Sequence, residues 1–147
     1  MHNNTILPLG TSGWMTAEGR ETMCAAMEHN GALILLDCGT GARRLADPRV
    51  APMVENAEKI FILISHYHLD HIIGLIFLPG LLQNRNVCIA GPGVELSGAT
   101  LHGALKTLTS FPLFSHDIGG FPMNLELREI TPGDNDLGHF TLTARRQ

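Results

Sequence analysis

Residues 60–71 read IFILISHYHLDH, and this segment indicates the fold more clearly than any other part of the chain. Its first five residues are apolar and rich in β-branched side chains, which is typical of a buried strand. Three histidines and one aspartate follow within six residues, namely His66, His68, Asp70 and His71. The apolar residues 72–78 predict a helix that carries this cluster into the core. The segment therefore predicts a buried strand that ends in a group of metal-binding side chains.

The spacing of these four residues indicates two neighbouring metal positions. His66 and His68 are two apart, so in an extended chain they project from one face and can bind one ion at about 2.0–2.1 Å. Asp70 and His71 lie beyond the bend and can serve a second ion. Two ions about 3.5–4 Å apart can share a hydroxide and stabilise a leaving group. Nitrogen-rich ligation favours zinc, and manganese or iron also suit a site that includes carboxylates. The alternative, four unrelated core or surface side chains, is the weaker interpretation.

The composition is that of one globular domain of 147 residues. A hydrophobic fraction of 44% and a charged fraction of 16% argue against disorder, and a net charge of −4 provides no basic field for generic nucleic-acid binding. Cys24, Cys38 and Cys88 are odd in number and lack C-x-x-C spacing, so we expect reduced thiols. The first residues do not resemble a signal peptide, and the apolar runs are too short to span a bilayer. We therefore expect a soluble, cytoplasmic protein.

Hydrophobic patterning predicts further elements along the chain. Strands are expected at residues 5–9, 21–28, 32–36, 86–90, 125–130 and 140–144, a single amphipathic helix at 94–109, and a turn at 131–136. Two sites keep alternative interpretations. The segment Gly10-Thr11-Ser12-Gly13 can cradle an anion or make a tight connection. Asp37, at the end of a strand, can hold a metal-binding histidine or cap a helix at residues 42–46.

The segment His66-Tyr67-His68-Leu69-Asp70-His71 resembles the H-x-H-x-D-H signature of the metallo-β-lactamase superfamily. Residues 9–13 and 36–41 resemble the opening of its ribonuclease Z and cyclic-phosphodiesterase branch, and residues 91–93 and the Phe-Pro loop around Phe111 are similar to later segments of that branch. The resemblance implies an α/β (α+β) fold, the αββα sandwich, and a di-metal hydrolase. It also implies that residues 1–147 are the amino-terminal part of a single domain.

The resemblance further assigns a role to each matching residue. His66 and His68 would bind the first metal ion, and Asp70 and His71 the second, with two zinc ions expected in the complete site. Asp70 would also act in catalysis, by orienting or deprotonating the attacking water. Asp37 would hold a ligand histidine by a hydrogen bond, which tunes its tautomer and basicity. Tyr67 occupies a variable position of the signature and receives no role.

The family completes its site with a further histidine, a bridging aspartate and a final histidine from later segments, which we do not find in this sequence. His139 precedes the strand 140–144 and is expected at the wrong end of it. Asp134 and Asp136 are expected to form a turn, and His116-Asp117 to lie on the surface. Half a sandwich would expose apolar surface and strand edges, so we expect either a homo-oligomer or a missing carboxy-terminal half to cover them.

The leading functional hypothesis is hydrolysis of phosphodiester bonds by a metal-activated hydroxide. Cyclic nucleotides, cyclic phosphates and RNA 3′ ends are all open as substrates, and the acidic balance favours a small phosphodiester over RNA; no membrane partner is expected. One alternative is a thioesterase or an iron-dependent sulfur dioxygenase, since both use the same signature. Another is a truncated, catalytically inactive remnant that binds metal weakly or not at all.

Overall fold

A six-stranded sheet lies at the centre of the protein, whose computed structural model describes residues 5–146. The strands lie side by side in chain order: β1 (Leu7–Gly10), β2 (Cys24–His29), β3 (Ala32–Leu36), β4 (Lys59–Leu63), β5 (Asn86–Pro92) and β6 (Asn124–Ile130). The first three strands pair antiparallel, and β3 to β6 pair parallel. The carboxyl ends of β3, β4, β5 and β6 therefore lie along one edge of the sheet.

Short helices connect the strands. They are α1 (Ala51–Asn56), α2 (Leu69–Ile72), α3 (Leu78–Leu81), α4 (Val94–Ser97) and α5 (Leu101–Thr109), with 3-10 turns at Thr40–Ala46, Ile73–Phe77 and Ile118–Gly120. Among residues 5–146, none of these helices has the length and apolar character needed to cross a membrane.

The two faces of the sheet have different coverings. Leu33 and Leu35 of β3 and Ile60 and Ile62 of β4 point to the helical side and lie in one buried cluster with residues of the helices. The alternate residues point to the other side, because successive side chains of a strand project from opposite faces. There Phe61 belongs to a smaller cluster. Burial on both faces explains why β3 and residues 60–63 of β4 are uninterrupted apolar runs.

A two-stranded hairpin covers part of the second face. It consists of β7 (Gly133–Asp136) and β8 (Thr141–Ala144), which pair antiparallel. The ring of Phe140, beside β8, meets that of Phe61 edge-on at 5.0 Å between centroids. Leu36 and Leu63 on the same face remain only partly buried. The fold class expected from the sequence, α/β (α+β), is confirmed, and the central sheet is mixed.

Two local predictions were wrong. Residues 94–109 form two helices rather than one, because Gly98 takes a left-handed conformation (φ 76°) that ends α4, and the side chain of Thr100 accepts the Gly103 N–H at the start of α5. Residues 131–136 are not a simple turn, since Gly133–Asp136 is the strand β7. Pairing with β8 across the sheet face overrides the turn-forming tendency of its Asn and Asp residues.

The three cysteines are free, as the sequence predicted, and all three are buried. Burial raises the pKa of the Cys24 thiol to about 12 and that of Cys88 to about 11, and it raises the pKa of Cys38 well above its usual range. Because the thiolate is the reactive form, Ellman's reagent at mildly alkaline pH is expected to modify no cysteine in the native protein and three after denaturation. Fast modification of any thiol without denaturant would contradict this burial.

Candidate metal centre

The four residues of the cluster meet where β4 ends and α2 begins. β4 ends at Leu63, and α2 starts at Leu69 with His68 in extended conformation before it. The His66 Nε2 atom lies 3.1 Å from His68 Nδ1, and the two ring centroids are 4.6 Å apart. Two nitrogens this close have room for one ion between them when neither carries a proton there. The predicted convergence of His66 and His68 is therefore present in the structure.

Asp70 and His71 form a second pair beside the first. The Asp70 Oδ2 atom lies 3.5 Å from His71 Nε2, and the His71 ring centroid is 4.1 Å from that of His66. The main chain has turned into α2 between the two pairs, which is why the second pair faces a neighbouring position. The structure thus brings all four predicted residues to one place, as two adjacent pairs of donors.

Hydrogen bonds link Asp37 to both pairs of residues, directly to His71 and through Ser65 to His66. Its Oδ1 accepts the Ser65 N–H at 2.7 Å, and its Oδ2 accepts the Ser65 hydroxyl at 2.9 Å and the His71 Nδ1–H at 2.7 Å. The helical turn at Thr40–Ala46 instead begins at Gly39 without any side-chain cap. The capping interpretation of Asp37 is therefore wrong, and its contact with a histidine of the cluster is present as predicted.

These hydrogen bonds determine which histidine nitrogens carry lone pairs. A carboxylate only accepts, so the proton of His71 lies on Nδ1 and its Nε2 lone pair faces Asp70. The Ser65 hydroxyl donates to Asp37, so its oxygen accepts from His66 Nδ1 at 2.9 Å. That bond directs the Nε2 lone pair of His66 toward His68 Nδ1, which lies 3.1 Å away. Both nitrogens are thereby prepared to bind a cation.

Electrostatics favour the metal-binding protonation state of two residues of the cluster, His66 and Asp70. Burial lowers the pKa of His66, and the neighbouring charges of His71 and His68 lower it further. The pKa of the Asp70 carboxyl is lowered mainly because the Trp14 backbone N–H donates to its Oδ2 at 2.7 Å. At neutral pH His66 is therefore neutral and Asp70 ionised, as ligation requires.

Two glycines allow α2 to approach the loop that carries Asp37. A Cβ atom on Gly39 would lie 2.2 Å from the Asp70 carbonyl oxygen, and one on Gly74 would lie 2.1 Å from the Gly39 carbonyl oxygen. In the space they leave, the Cys38 N–H donates to the His71 carbonyl at 2.7 Å and the Gly74 N–H donates to the Cys38 carbonyl at 2.8 Å. Backbone contacts therefore determine the positions of Asp70 and His71. Nothing in the sequence distinguished these glycines from ordinary turn residues.

Tyr67 has a structural role that sequence reasoning missed. Its hydroxyl donates to the Pro92 carbonyl at the end of β5, and burial raises its pKa above the usual range. This bond ties the loop between His66 and His68 to the neighbouring strand. In the Gly10–Gly13 segment, packing explains only Gly10, because a Cβ there would lie 1.9 Å from the Thr22 carbonyl oxygen, whereas a Cβ on Gly13 would meet nothing within 4 Å.

The remaining candidates do not join the cluster. His139 lies against Phe61, 5.4 Å between ring centroids, and its Nδ1 is 3.3 Å from the Asn30 carbonyl at the amino end of β3. Its expected position at the wrong end is confirmed. Asp134 and Asp136 both lie in β7 and not in the expected turn. Asp136, the last residue of the strand, accepts the Gly138 N–H at 2.8 Å, and Asp134 accepts the Thr143 hydroxyl.

The donors present fit divalent cations of the zinc class. They form two pairs, and each pair is only part of the ligand set of one ion. Imidazole nitrogens and a carboxylate are the ligands that zinc accepts. Within residues 5–146, however, no group of three or more His, Cys, Asp or Glu side chains has the geometry of a metal site. Each ion would need further ligands beyond the pair described.

The cluster opens into a cavity of about 1000 Å³ between the carboxyl edge of the sheet and β8. His66, His68 and Asp37 provide polar lining, and Leu142 of β8 provides apolar lining. The exposed Arg145, just after β8, also lines this cavity. The space therefore combines an apolar wall with a cation and the paired donors, an arrangement suited to an anionic ligand that carries apolar groups.

Comparisons with known proteins match most of the chain to one protein family. The profile of the Metallo-beta-lactamase superfamily matches residues 18–143. Ribonuclease Z of Thermococcus sibiricus is 39% identical over 133 residues, covering 85% of this chain and 42% of that protein. Ribonuclease Z of a Synechococcus strain is 32% identical over 125 residues, covering 76% of this chain and 36% of that protein. The chain thus spans about two fifths of the length of these relatives.

Solved structures with the same fold extend the comparison. The metallo-beta-lactamase fold protein YhfI from Bacillus subtilis superposes with a TM-score of 0.59 at 20% identity, over 94% of this chain and 50% of that one. The short form of human tRNase Z superposes with a TM-score of 0.53 at 22% identity, over 84% of this chain and 44% of that one. At these identities the likeness establishes the fold alone.

Proposed function

The chain belongs to the metallo-beta-lactamase superfamily, and on this premise we propose that it supplies the amino-terminal part of a two-ion site that hydrolyses phosphodiester bonds. The observation that carries the proposal is the pairing of donors: His66 with His68 at 3.1 Å, and Asp70 with His71 at 3.5 Å. Phosphodiester hydrolysis at a two-ion site requires that the attacking and the leaving oxygen be stabilised at the same time. Two adjacent pairs of donors on one sheet edge match that requirement.

The proposed roles follow from the atoms that are free. His66 Nε2 and His68 Nδ1 would hold one ion, and Asp70 with His71 Nε2 the other, with zinc the best match to this donor set. Bound there, the ions would supply Lewis acidity, which lowers the pKa of water and polarises a phosphoryl oxygen. Asp37 holds His71 and, through Ser65, His66. Asp70 is ionised and can accept a hydrogen bond from an attacking water and so orient it.

RNA is the substrate class that the relatives favour. The curated proteins most similar to this chain are named ribonuclease Z, which weighs against the small phosphodiester that the acidic composition favoured. The cavity beside the cluster supports either choice, since Arg145 can attract a phosphate and Leu142 can contact a less polar part of the ligand. We propose RNA as the substrate class, with small phosphodiesters as the simplest compounds on which to measure the reaction.

The proposal includes the extent of the domain. Residues 1–147 would be the amino-terminal part of a single domain, because the chain spans 42% of its Thermococcus relative and the hairpin β7–β8 leaves Leu36 and Leu63 only partly buried. A carboxy-terminal segment or a second copy of the chain would cover this face. Light scattering distinguishes the two for the chain alone: a dimer supports self-association, and a stable monomer supports the missing segment.

Metal binding without turnover is the second candidate, favoured by the lack of a closed group of three donors within residues 5–146. The two candidates differ in one measurement, which is the rate of aryl phosphodiester hydrolysis when the protein is saturated with zinc or manganese. Metal-dependent turnover supports the hydrolase. Full metal occupancy with no turnover would leave this chain as a metal-binding part only.

Replacing His66 and His68 together by alanine is expected to abolish zinc binding at the first position and any hydrolysis that depends on it. The loss should exceed the about 10- to 100-fold that removing an outer partner of a ligand costs, because both donors of one ion disappear. Isothermal titration with zinc measures the effect. A variant that combines His102→Ala with His116→Ala is the matched control, since both histidines are exposed and lie outside the cluster. Equal zinc affinity in the cluster variant and the unchanged protein would show that the cluster is not a metal site.

A further inference from the structure

Trp14 is exposed directly beside the candidate metal centre. Its backbone N–H donates to Asp70 Oδ2 at 2.7 Å, and Asp70 Oδ2 lies 3.5 Å from His71 Nε2. The side chain of Trp14 is 89% exposed, and that of the adjoining Met15 is 66% exposed. A large apolar side chain in contact with solvent, on a residue whose backbone is bonded to the cluster, contributes little to the core. It is available to a ligand that reaches the site.

The main chain around Trp14 is held in an unusual conformation. Trp14 has φ 63°, in the left-handed region that residues with a side chain seldom occupy. Hydrogen bonds on both sides keep it there: Ser12 N–H to the Glu21 carbonyl at 2.8 Å, Ser12 hydroxyl to the Met15 carbonyl at 2.7 Å, and the bond to Asp70. Sparsely populated conformations that the surrounding structure maintains occur most often at ligand sites. The indole is thus tied by its backbone to a proposed metal ligand.

We infer that Trp14 is a specificity-determining residue, on which the base of a nucleotide stacks while the phosphate of that nucleotide lies at the paired donors. An indole stacks on any nucleobase because every base has a π face, and such contacts tolerate differences in sequence. The inference rests on the proposed phosphodiester chemistry for its choice of ligand. Trp14 would contact the base, which is the part of the nucleotide that the ions would not contact. Recognition of this kind requires a flat heterocycle next to the phosphate.

The chain carries a built-in probe for this contact, because Trp14 is its only tryptophan. Titration of the zinc-loaded protein with adenosine 5′-monophosphate is expected to quench the tryptophan fluorescence in a saturable way. Ribose 5-phosphate, which has the same phosphate and sugar but no base, is expected to leave the fluorescence unchanged. Neither compound contains a phosphodiester bond, so the result does not depend on turnover. Failure to hydrolyse phosphodiesters would overturn the proposed function and leave this readout intact.

Substitution tests the same contact without fluorescence. Trp14→Ala is expected to weaken adenosine 5′-monophosphate binding by about tenfold in equilibrium dialysis, and Trp14→Phe to retain most of it. Phe111→Ala is the control, because the Phe111 side chain is also exposed (91%) but lies away from the cluster. Phe111 follows the end of α5, and it is the start of this helix that lies beside Glu129 at the carboxyl edge of the sheet. Circular dichroism verifies that each variant is folded. Absence of quenching by the nucleotide, equal quenching by ribose 5-phosphate, or unchanged affinity in Trp14→Ala would overturn the inference.

Discussion

Gly74→Ala is expected to lower the free energy of unfolding by about 3 kcal/mol or more, at the upper end of what overpacking a well-filled interior costs. The added Cβ would lie 2.1 Å from the Gly39 carbonyl oxygen and 2.8 Å from that of Cys38. Both obstacles are backbone atoms, so no side-chain rotation can relieve the contact. The segment after α2 must move away from the loop at Asp37, and the Gly74 N–H to Cys38 carbonyl bond is lost with it.

The same displacement is expected to weaken zinc binding, because His71 and Asp70 are positioned by this backbone contact. Chemical denaturation measures the stability, and isothermal titration measures the affinity. Gly80→Ala is the matched control, since a Cβ there meets nothing within 4 Å and Gly80 lies in the helix α3. Alanine at position 80 should leave zinc affinity unchanged and should slightly stabilise the helix. Equal stability of the Gly74 and Gly80 variants would contradict the close approach described for α2.

Asp37→Asn is expected to reduce zinc affinity by about 10- to 100-fold, the usual cost of losing the outer partner of a metal-binding histidine. The carboxylate accepts three hydrogen bonds, from Ser65 N–H, the Ser65 hydroxyl and His71 Nδ1. An amide offers one oxygen and an NH₂ group that only donates, so at least one of these donors is left without its acceptor. Asparagine tolerates the left-handed φ of 57° at this position, so the main chain can stay as it is.

Zinc titration and thermal unfolding together separate this effect from general damage. Asp47→Asn is the control, because Asp47 pairs with the exposed Arg49 at 2.9 Å and has no contact with the cluster. We expect that variant to bind zinc as the unchanged protein does. Wild-type zinc affinity in Asp37→Asn would show that the carboxylate does not orient His71, and the assignment of Asp37 would then fail.

The parts of the fold that could be predicted from sequence are those that local patterns encode. Ala32–Leu36 is a strand with the predicted bounds, since an apolar run buried on both faces needs no distant information to be identified. The convergence of His66 with His68 also follows from spacing, because residues two apart in an extended chain share a face. By contrast, the helix break at Gly98 and the strand β7 depended on capping and pairing that periodicity does not reveal.

The sequence by itself determined the family and the central strand, and it predicted the four donors. Tertiary structure decided how those donors are held. Asp37 contacts His71 across 34 residues, and Trp14 contacts Asp70 across 56. These contacts exist because β3 and β4 pair in parallel register, with Leu36 opposite Leu63, so that the loops following the two strands meet at one edge. Strand register and the missing Cβ atoms of Gly39 and Gly74 are properties of the packed chain, and no local pattern around residues 60–71 contains them.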